Sequence, residues 1–443
     1  MWRILYNVGL LLAAPVVVGL LLGKPRCRRG FLQRMGWQVH PSDKEPPDRP
    51  AIWVHAVSLG EAVAAAPLVK ALRERHPEFR YVVTTVTETG REAVEQRLAG
   101  VAEHRYAPLD FSWAVSAMVN RLRPSLYLFV ETELWPNILW TLRDRRVPTI
   151  LVNGRLSSRS FNRQNRGAVR SFYRSVIRSI TLCLMQSDRD RQRIIALGAD
   201  PACVHTTGNI KFDQPVPAED GQETPQRCFG LDGSEMLILA GSTHAGEEEM
   251  LVAAYRLIAE THPSAVLMLA PRHIERVERV ETMVRDAGFA VRRKSRIEQG
   301  ERGPRVIILD TRGELARAYR EATVAFVGGT LVPIGGHNLL EPAVWGRPVL
   351  FGPHTDHCAE VAALLEEAGG GKRVKGTEDL VRLCDEWLRD PRARERAGQA
   401  ARCVVLDNQG ALKRSLDLIE SCLAPRISAD NSSRSSVLAV REA

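Results

Sequence analysis

"FVGGTLVPIGGHNLLEPAVWGRPVLFGPHTDH", residues 326–357, holds the pattern that decides the fold. A short apolar strand runs into paired glycines and an amide. A carboxylate beside a proline opens a helix expected over 338–346, and a second apolar strand follows almost at once. Strand, helix and strand in sequence is the repeating unit of parallel sheets. Gly328, Gly329, Gly335 and Gly336 let backbone approach a ligand closely or adopt positive φ. The free N–H groups at the start of the following helix suit a phosphate, and Glu341 could accept hydrogen bonds from paired ribose hydroxyls. Asn338-x-x-Glu341 is equally a capping-box spacing, which stabilises a helix start and does no chemistry. The loop alone leaves both readings open.

Neighbouring strand ends favour a ligand. "GSTHAGEEE" offers Ser242, Thr243 and His244, ahead of a helix whose Glu247, Glu248 and Glu249 are expected to repel a second anion. "APRH" offers Pro271, Arg272 and His273, and "DTRGE" offers Arg312, Gly313 and Glu314. Singly, each is an ordinary surface arginine or helix cap. Together they converge on one edge of one sheet, the carboxyl edge where open α/β sheets bind ligands. A nucleotide is the economical explanation.

The same alternation runs through the earlier half: "AIWVHAV", "YVVTTV", "LYLFV", "PTILVN" and "TLCLMQ" are strands, separated by helical stretches such as "GEAVAAAPLVKALRER". Continuous apolar runs of this length are expected where helices cover both faces of a sheet. At 443 residues the chain is too long for one core. The polar, proline-rich "PVPAEDGQETPQ", 215–226, divides it. The expected plan is two Rossmann-like, doubly wound domains, over 24–214 and 227–425, with a disordered serine-rich tail over 426–443. Hydrophobic content of 44% and charged content of 26% are globular values. The eight cysteines include no C-x-x-C, which argues for reduced thiols.

A net charge of +9 calls for anionic partners. Part of it borders the apolar run Ile4 to Leu22, which Lys24, Arg26, Arg28, Arg29 and Arg34 follow. Residues 1–23 therefore read as an uncleaved membrane anchor that spans or dips into the bilayer, with the remainder on the cytoplasmic side. Asn7 and Pro15 weaken it as a span. Arg159, Arg163, Arg166, Arg170, Arg174 and Arg178 recur every three or four residues, which places them along one helical face. That face is either solvated or directed at a membrane. Nucleic acid is not indicated, because no aromatic platform interleaves with the charge.

In "VHAVSLGEAV" a strand ends and a helix begins. Ser58-x-x-Glu61 is a capping box by spacing, and Glu61 is also placed to act as a general base. Asp188 and Asp190, the only D-x-D, sit at a helix start where acidic residues suit the dipole. His354, Asp356, His357 and Cys358 lack a second cluster with metal spacing. No metal is expected.

"VSLGE", "ETELWPN", "NGRLS", "GNIKFD", "STHAGEE", "PRH", "GGHNLLEP" and "GPHT", in this order, resemble the 3-deoxy-D-manno-octulosonic acid (Kdo) transferases of Gram-negative lipopolysaccharide synthesis. The likeness covers about residues 1 to 425. It implies a GT-B type glycosyltransferase, two Rossmann-like domains facing a central cleft behind an N-terminal anchor, at the inner (cytoplasmic) membrane. It implies CMP-Kdo as donor and a lipid A precursor (lipid IVA) as acceptor; direct displacement with inversion at the anomeric carbon, without a cofactor, is the mechanism expected on this reading. Carried over motif by motif, Pro271, Arg272, Arg312, Gly313, Glu314, Asn338, Leu339, Leu340 and Glu341 hold the CMP. Glu61 falls on the family's base, with Glu131 and Lys211 as charged helpers. Where the family often has N-P-L-E-A this chain has "NLLEP", so Pro342 bears on how that helix starts. The rival readings are a UDP- or ADP-sugar transferase of the same fold, a sugar-nucleotide epimerase, and a non-catalytic, membrane-tethered nucleotide-binding protein.

Overall fold

The alternation of apolar runs and helices produces two seven-stranded sheets, all of whose pairings are parallel, in a computed structural model that describes residues 1–23, 29–37, 49–213, 229–231, 233–297 and 305–423. The linker 215–226, the tail 426–443 and Lys24, Arg26 and Arg28 lie outside the described residues.

In the first sheet the strands are β1 (Ala51–His55), β2 (Arg80–Thr85), β3 (Glu103–Tyr106), β4 (Pro124–Val130), β5 (Thr149–Gly154), β6 (Leu182–Met185) and β7 (Val204–Thr206). Their spatial order is β3-β2-β1-β4-β5-β6-β7. All of β1 and β5 is buried, because alternate residues feed opposite faces. Ile52 and Val54 enter one core with Leu126 and Leu128, while Trp53 enters the other with Tyr127 and Phe129.

The second sheet comprises β8 (Met236–Thr243), β9 (Ala265–Pro271), β10 (Val291–Arg293), β11 (Val306–Ile308), β12 (Val324–Val327), β13 (Val349–Phe351) and β14 (Gly371–Arg373). It is ordered β10-β11-β9-β8-β12-β13-β14. Strand order therefore reverses between β1 and β4 in one sheet and between β8 and β12 in the other. These are the switch points where open α/β sheets form a ligand crevice.

The chain divides into one unit of Met1–Gln214 with Gln409–Ala443 and another of Pro215–Asn408. The second unit thus ends at 408, not at the 425 expected from sequence. Gly410, at φ 89, follows the helix Pro391–Asp407, and the Asp213 carboxylate then accepts from the N–H of Gly410 and of Leu412. Helix 411–423 buries Ala411, Leu416, Ile419 and Leu423 in the first unit's core.

The amino-terminal helix runs Trp2–Gly23. Among the described residues, no helix is long and apolar enough to cross a membrane. One side of this helix lies on the first unit. Tyr6 packs on Phe172 and Trp140, Asn7 exchanges amide hydrogen bonds with Asn137, and Leu10 and Ala14 meet the buried Met35, Phe111 and Ala114. Arg34, grouped by sequence with the basic flank, is instead buried over the Tyr106 ring and donates to the Val86 carbonyl.

Two expectations around the opening stretch change. The helix expected over 338–346 is only Leu340–Val344, because the Asn338 side chain accepts from the Leu340 N–H and Gly346 turns the chain at φ 65. Pro342 sits within its first turn, where a missing N–H costs nothing. The acidic run 247–249 does not present free charge to a ligand. Glu247 is fully buried, and its carboxylate accepts from the N–H groups of His244, Gly329, Thr330 and Leu331 at 2.7–3.0 Å. Glu248 is clamped by Arg276 and the Thr243 hydroxyl, and Glu249 caps its own helix through the Gly246 N–H.

Glu247→Ala leaves buried N–H donors without an acceptor and is expected to destabilise the second unit by about 3 kcal/mol. Urea unfolding followed by far-UV circular dichroism measures this, and an unmoved midpoint would contradict the role given to the carboxylate.

Candidate functional site

At the first switch point, β1 leads through Ser58 into the helix Leu59–Arg75. Glu61, 6% exposed, turns back over this junction. One carboxylate oxygen accepts from the Val57 N–H at 2.8 Å and the other from the Ser58 hydroxyl at 2.9 Å. Ser58 Oγ also accepts from the Glu61 N–H, so Ser58 caps the helix, while the Glu61 carboxylate reaches the Val57 N–H instead of the Ser58 N–H that a capping box would use. Capping and base chemistry do not exclude each other. Burial pushes the Glu61 carboxyl up to about 7 against the pull of those two donors, with Glu133 and Glu131 adding to the rise. A carboxyl poised near neutrality can take a proton and give it back.

Glu131 follows the end of β4, and its φ of 57 is left-handed for a residue with a side chain. Such backbone is held at some cost and clusters at functional sites. Its carboxylate meets Lys211 Nζ at 3.0 Å. Lys211 rides on the short helix Ile210–Asp213, placed by two amides: Asn153 Oδ1 accepts from the Ile210 N–H, and Asn209 Oδ1 from the Lys211 N–H. Asn153 is itself left-handed, at φ 57. The electrostatic coupling of Glu61 to Glu131, and the ion pair of Glu131 with Lys211, join the three residues singled out by sequence into one constellation.

Sequence reasoning missed Glu133. Burial pushes its carboxyl up, and Glu131 adds to the rise against the Trp135 N–H it accepts. It lies inside "ETELWPN", so the motif held the signal. His55 was also missed. It is buried at the end of β1, with Nδ1 on the Thr84 hydroxyl and the ring edge-on to Trp135, and burial holds it down to about 4.

The residues expected to hold a nucleotide occupy the turns after β9, β11 and β12. Pro271 is buried, Arg272 is exposed, and the Arg272 N–H is tied to the Thr243 carbonyl at the end of β8. Arg312 is exposed and comes within 3.7 Å of Glu275, in the segment that follows Arg272. Gly313 takes φ 84, and Glu314 accepts from Lys294 and from the Thr311 hydroxyl. Asn338 donates to Glu341 at 3.2 Å. Leu339 and Leu340 bury their side chains, so only their backbone is available to a ligand. The helix they begin is too short for its dipole to carry phosphate binding.

Asp190 accepts from the Leu156 N–H and the Ser187 hydroxyl, as a helix cap does. Among the described residues, no group of three or more His, Cys, Asp or Glu is placed to hold a metal ion.

Two parallel α/β units, each with polar residues gathered at its switch point, make up a fold that sugar-nucleotide transferases and epimerases also have. Solved structures agree on the fold. UDP-GlcNAc 2-epimerase from Neisseria meningitidis superposes with a TM-score of 0.57 at 14% identity, over 85% of this chain and 100% of its own. The glycotransferase of kitacinnamycin gives 0.54 at 16% identity, over 85% and 100%. The sequence profile described as 3-deoxy-D-manno-octulosonic-acid transferase (kdotransferase) matches residues 29–214. The 3-deoxy-D-manno-octulosonic acid transferase of Haemophilus influenzae is 35% identical over 428 residues, covering 96% of this chain and 99% of the relative. That of Bordetella pertussis is also 35% identical, over 84% and 87%. The chain belongs to the Kdo transferase family, and it is a glycosyltransferase.

An acid whose folded value lies above its unfolded one holds its proton more tightly in the folded state. Stability contributed by Glu61 is therefore greatest below about 4.5 and falls as pH rises to about 7. The loss should total about 3 kcal/mol. Glu61→Gln is expected to flatten that part of the unfolding free energy against pH. An unchanged slope would mean that Glu61 titrates normally.

Proposed function

We propose that this Kdo transferase uses CMP-Kdo as donor and a lipid A precursor, lipid IVA, as acceptor, with Glu61 as general base. The observation that carries the reading is the buried Glu61 carboxyl, poised near neutrality in the same constellation as the Glu131–Lys211 ion pair. The acceptor hydroxyl attacks the anomeric carbon and passes its proton to Glu61 while the bond to the CMP phosphate breaks. Configuration inverts in one displacement, with no covalent glycosyl-enzyme. Charge builds on the departing phosphate, and fixed charges stabilise it without reorganising. The family resemblance gives this role to Lys211, and Glu131 fixes its direction. The turns at 271–272, 312–314 and 338–341 take the CMP, with Leu339 and Leu340 contributing backbone alone. No metal or other cofactor takes part in this scheme.

Association with the cytoplasmic face of the inner membrane belongs to the same proposal. On the amino-terminal helix, Ile4 is 69% exposed and Leu12 78%, and Leu5, Leu11 and Val16 are exposed beside them. The helix meets Phe172 of the helix Gly167–Ile177, and Arg159, Arg163, Arg166, Arg170, Arg174 and Arg178 are all exposed. These arginines lie on or at the ends of two successive helices, Ser158–Gln164 and Gly167–Ile177, instead of the one helical face expected from their spacing, and exposed basic and apolar side chains together suit an anionic bilayer surface. The Asn7–Asn137 pairing favours a helix lying on the domain, half-immersed, over one that leaves it to span.

Glu61→Gln should keep the fold and lower kcat by a factor of about 10² to 10⁴. A folded variant with near-normal turnover would remove Glu61 from the mechanism. Arg166→Glu combined with Arg170→Glu should weaken sedimentation with anionic vesicles and raise KM for the lipid acceptor. Unchanged values for both would exclude this face from membrane contact.

A further inference from the structure

Imidazoles gather at the switch point of the second unit. His244 follows β8, His273 follows β9, His337 lies in the loop after β12 and His357 follows β13. The Nε2 atoms of His244 and His337 are 2.8 Å apart, with ring planes 3° from parallel and centroids 5.1 Å apart. A contact of this length needs a proton between the rings, one donating and the other accepting. His273 stands edge-on to His244 at 5.7 Å. The backbone is shaped to seat the rings. Gly329 takes φ 69 where a Cβ would come within 2.9 Å of the His337 ring, and Gly335 takes φ 103 where one would come within 2.8 Å of the His357 ring.

One carboxylate bears on the cluster: Glu248 favours a proton on His244, but burial and His273 outweigh it, and Arg276 and the Thr243 hydroxyl already engage its oxygens. Arg272 and Arg276 are the cations that bear on it. Arg276 is engaged by Glu248, and the oxygens of Glu247 are occupied by backbone N–H groups. Burial, then His244, Arg272, His357 and His273, hold His337 down to about 4, and burial with His273 holds His244 below its ordinary value. His244 and His337 are partly buried at the carboxyl edge of the sheet, with His273, His357 and Arg272 exposed around them.

We infer that His244 and His337, with His273, His357 and Arg272 around them, form the seat for the carboxylate that the donor sugar carries beside its anomeric carbon. This rests on the CMP-Kdo reading above. An anion at a few ångströms favours the charged imidazole, so the seat takes up a proton as the donor arrives. Donor affinity then rises as pH falls from 8 towards 6. A sugar nucleotide whose sugar is neutral brings no charge to this seat to offset protonation of the cluster, and the seat discriminates against it. The nucleotide phosphate is the other oxyanion these rings could meet, and CMP alone separates the two, since it carries phosphate without sugar.

The test uses the full-length protein and its His244→Gln, His337→Gln and doubly substituted variants, with KM for CMP-Kdo and Kd for CMP measured at pH 6, 7 and 8. Wild-type KM for CMP-Kdo should rise by at least about tenfold across this range, one linked proton giving up to about tenfold per pH unit. The double variant should raise KM at pH 6 about tenfold and flatten the profile, with CMP affinity within about twofold of wild type at each pH. Either single variant gives the same direction if the double does not fold. Equal loss of CMP and CMP-Kdo affinity would give the rings to the phosphate and overturn the assignment, and unaltered variants would leave them as scaffold. A wild-type protein inert towards CMP-Kdo would remove the parent reading and the seat together. Normal turnover with unaltered variants would remove the seat alone.

Discussion

The Glu247 carboxylate is the constraint on which the second unit's ligand edge depends. It has no solvent exposure and accepts hydrogen bonds from four backbone N–H groups, one from the turn after β8 and three from the glycine-rich loop after β12. Those segments flank the point where strand order reverses. Without an anion there, the loop's amides would face one another across the crevice with nothing to accept from them. With it, the loop is fixed closely enough for His337 to meet His244 at 2.8 Å. The charge needed to shape a site for anions is thus spent inside the scaffold.

The first unit meets the same requirement with backbone strain and side-chain amides. Left-handed residues at the ends of β4 and β5, Glu131 and Asn153, aim one carboxylate at Lys211 and hold the segment that carries Lys211. Glu61 holds the Val57 N–H and the Ser58 cap of its own helix, and the burial that goes with this role also raises its carboxyl towards neutrality. Structural and chemical roles coincide in one side chain, so spacing alone could not separate them.

The sheets were legible because a strand covered on both faces is an unbroken apolar run, a signal internal to a few residues. The constellation of Glu61, Glu131 and Lys211 was legible only through family resemblance, since nothing local distinguishes Lys211 from a surface lysine. What sequence misread depends on partners far along the chain. Glu247, Glu248 and Glu249 look like a solvated acidic turn until residues 329–331 and Arg276 come to meet two of them. Arg34 looks like membrane flank until Tyr106 lies beneath it. Helix 411–423 is amphipathic whichever unit it joins, and the Asp213 carboxylate assigns it to the first. Asn7 weakened the apolar run as a span for a reason visible only once Asn137 faces it.

Membership of the Kdo transferase family and the poised Glu61 together support the proposal that this chain moves a sugar acid from a cytidylate to a glycolipid. The most direct measurement is mass spectrometry of the lipid product after incubating the purified protein with CMP-Kdo and a tetra-acylated lipid A precursor. The account predicts a glycolipid heavier by one or more Kdo residues, with CMP released in equal number. An unmodified lipid beside intact or merely hydrolysed CMP-Kdo, from a protein shown to be folded, would contradict it.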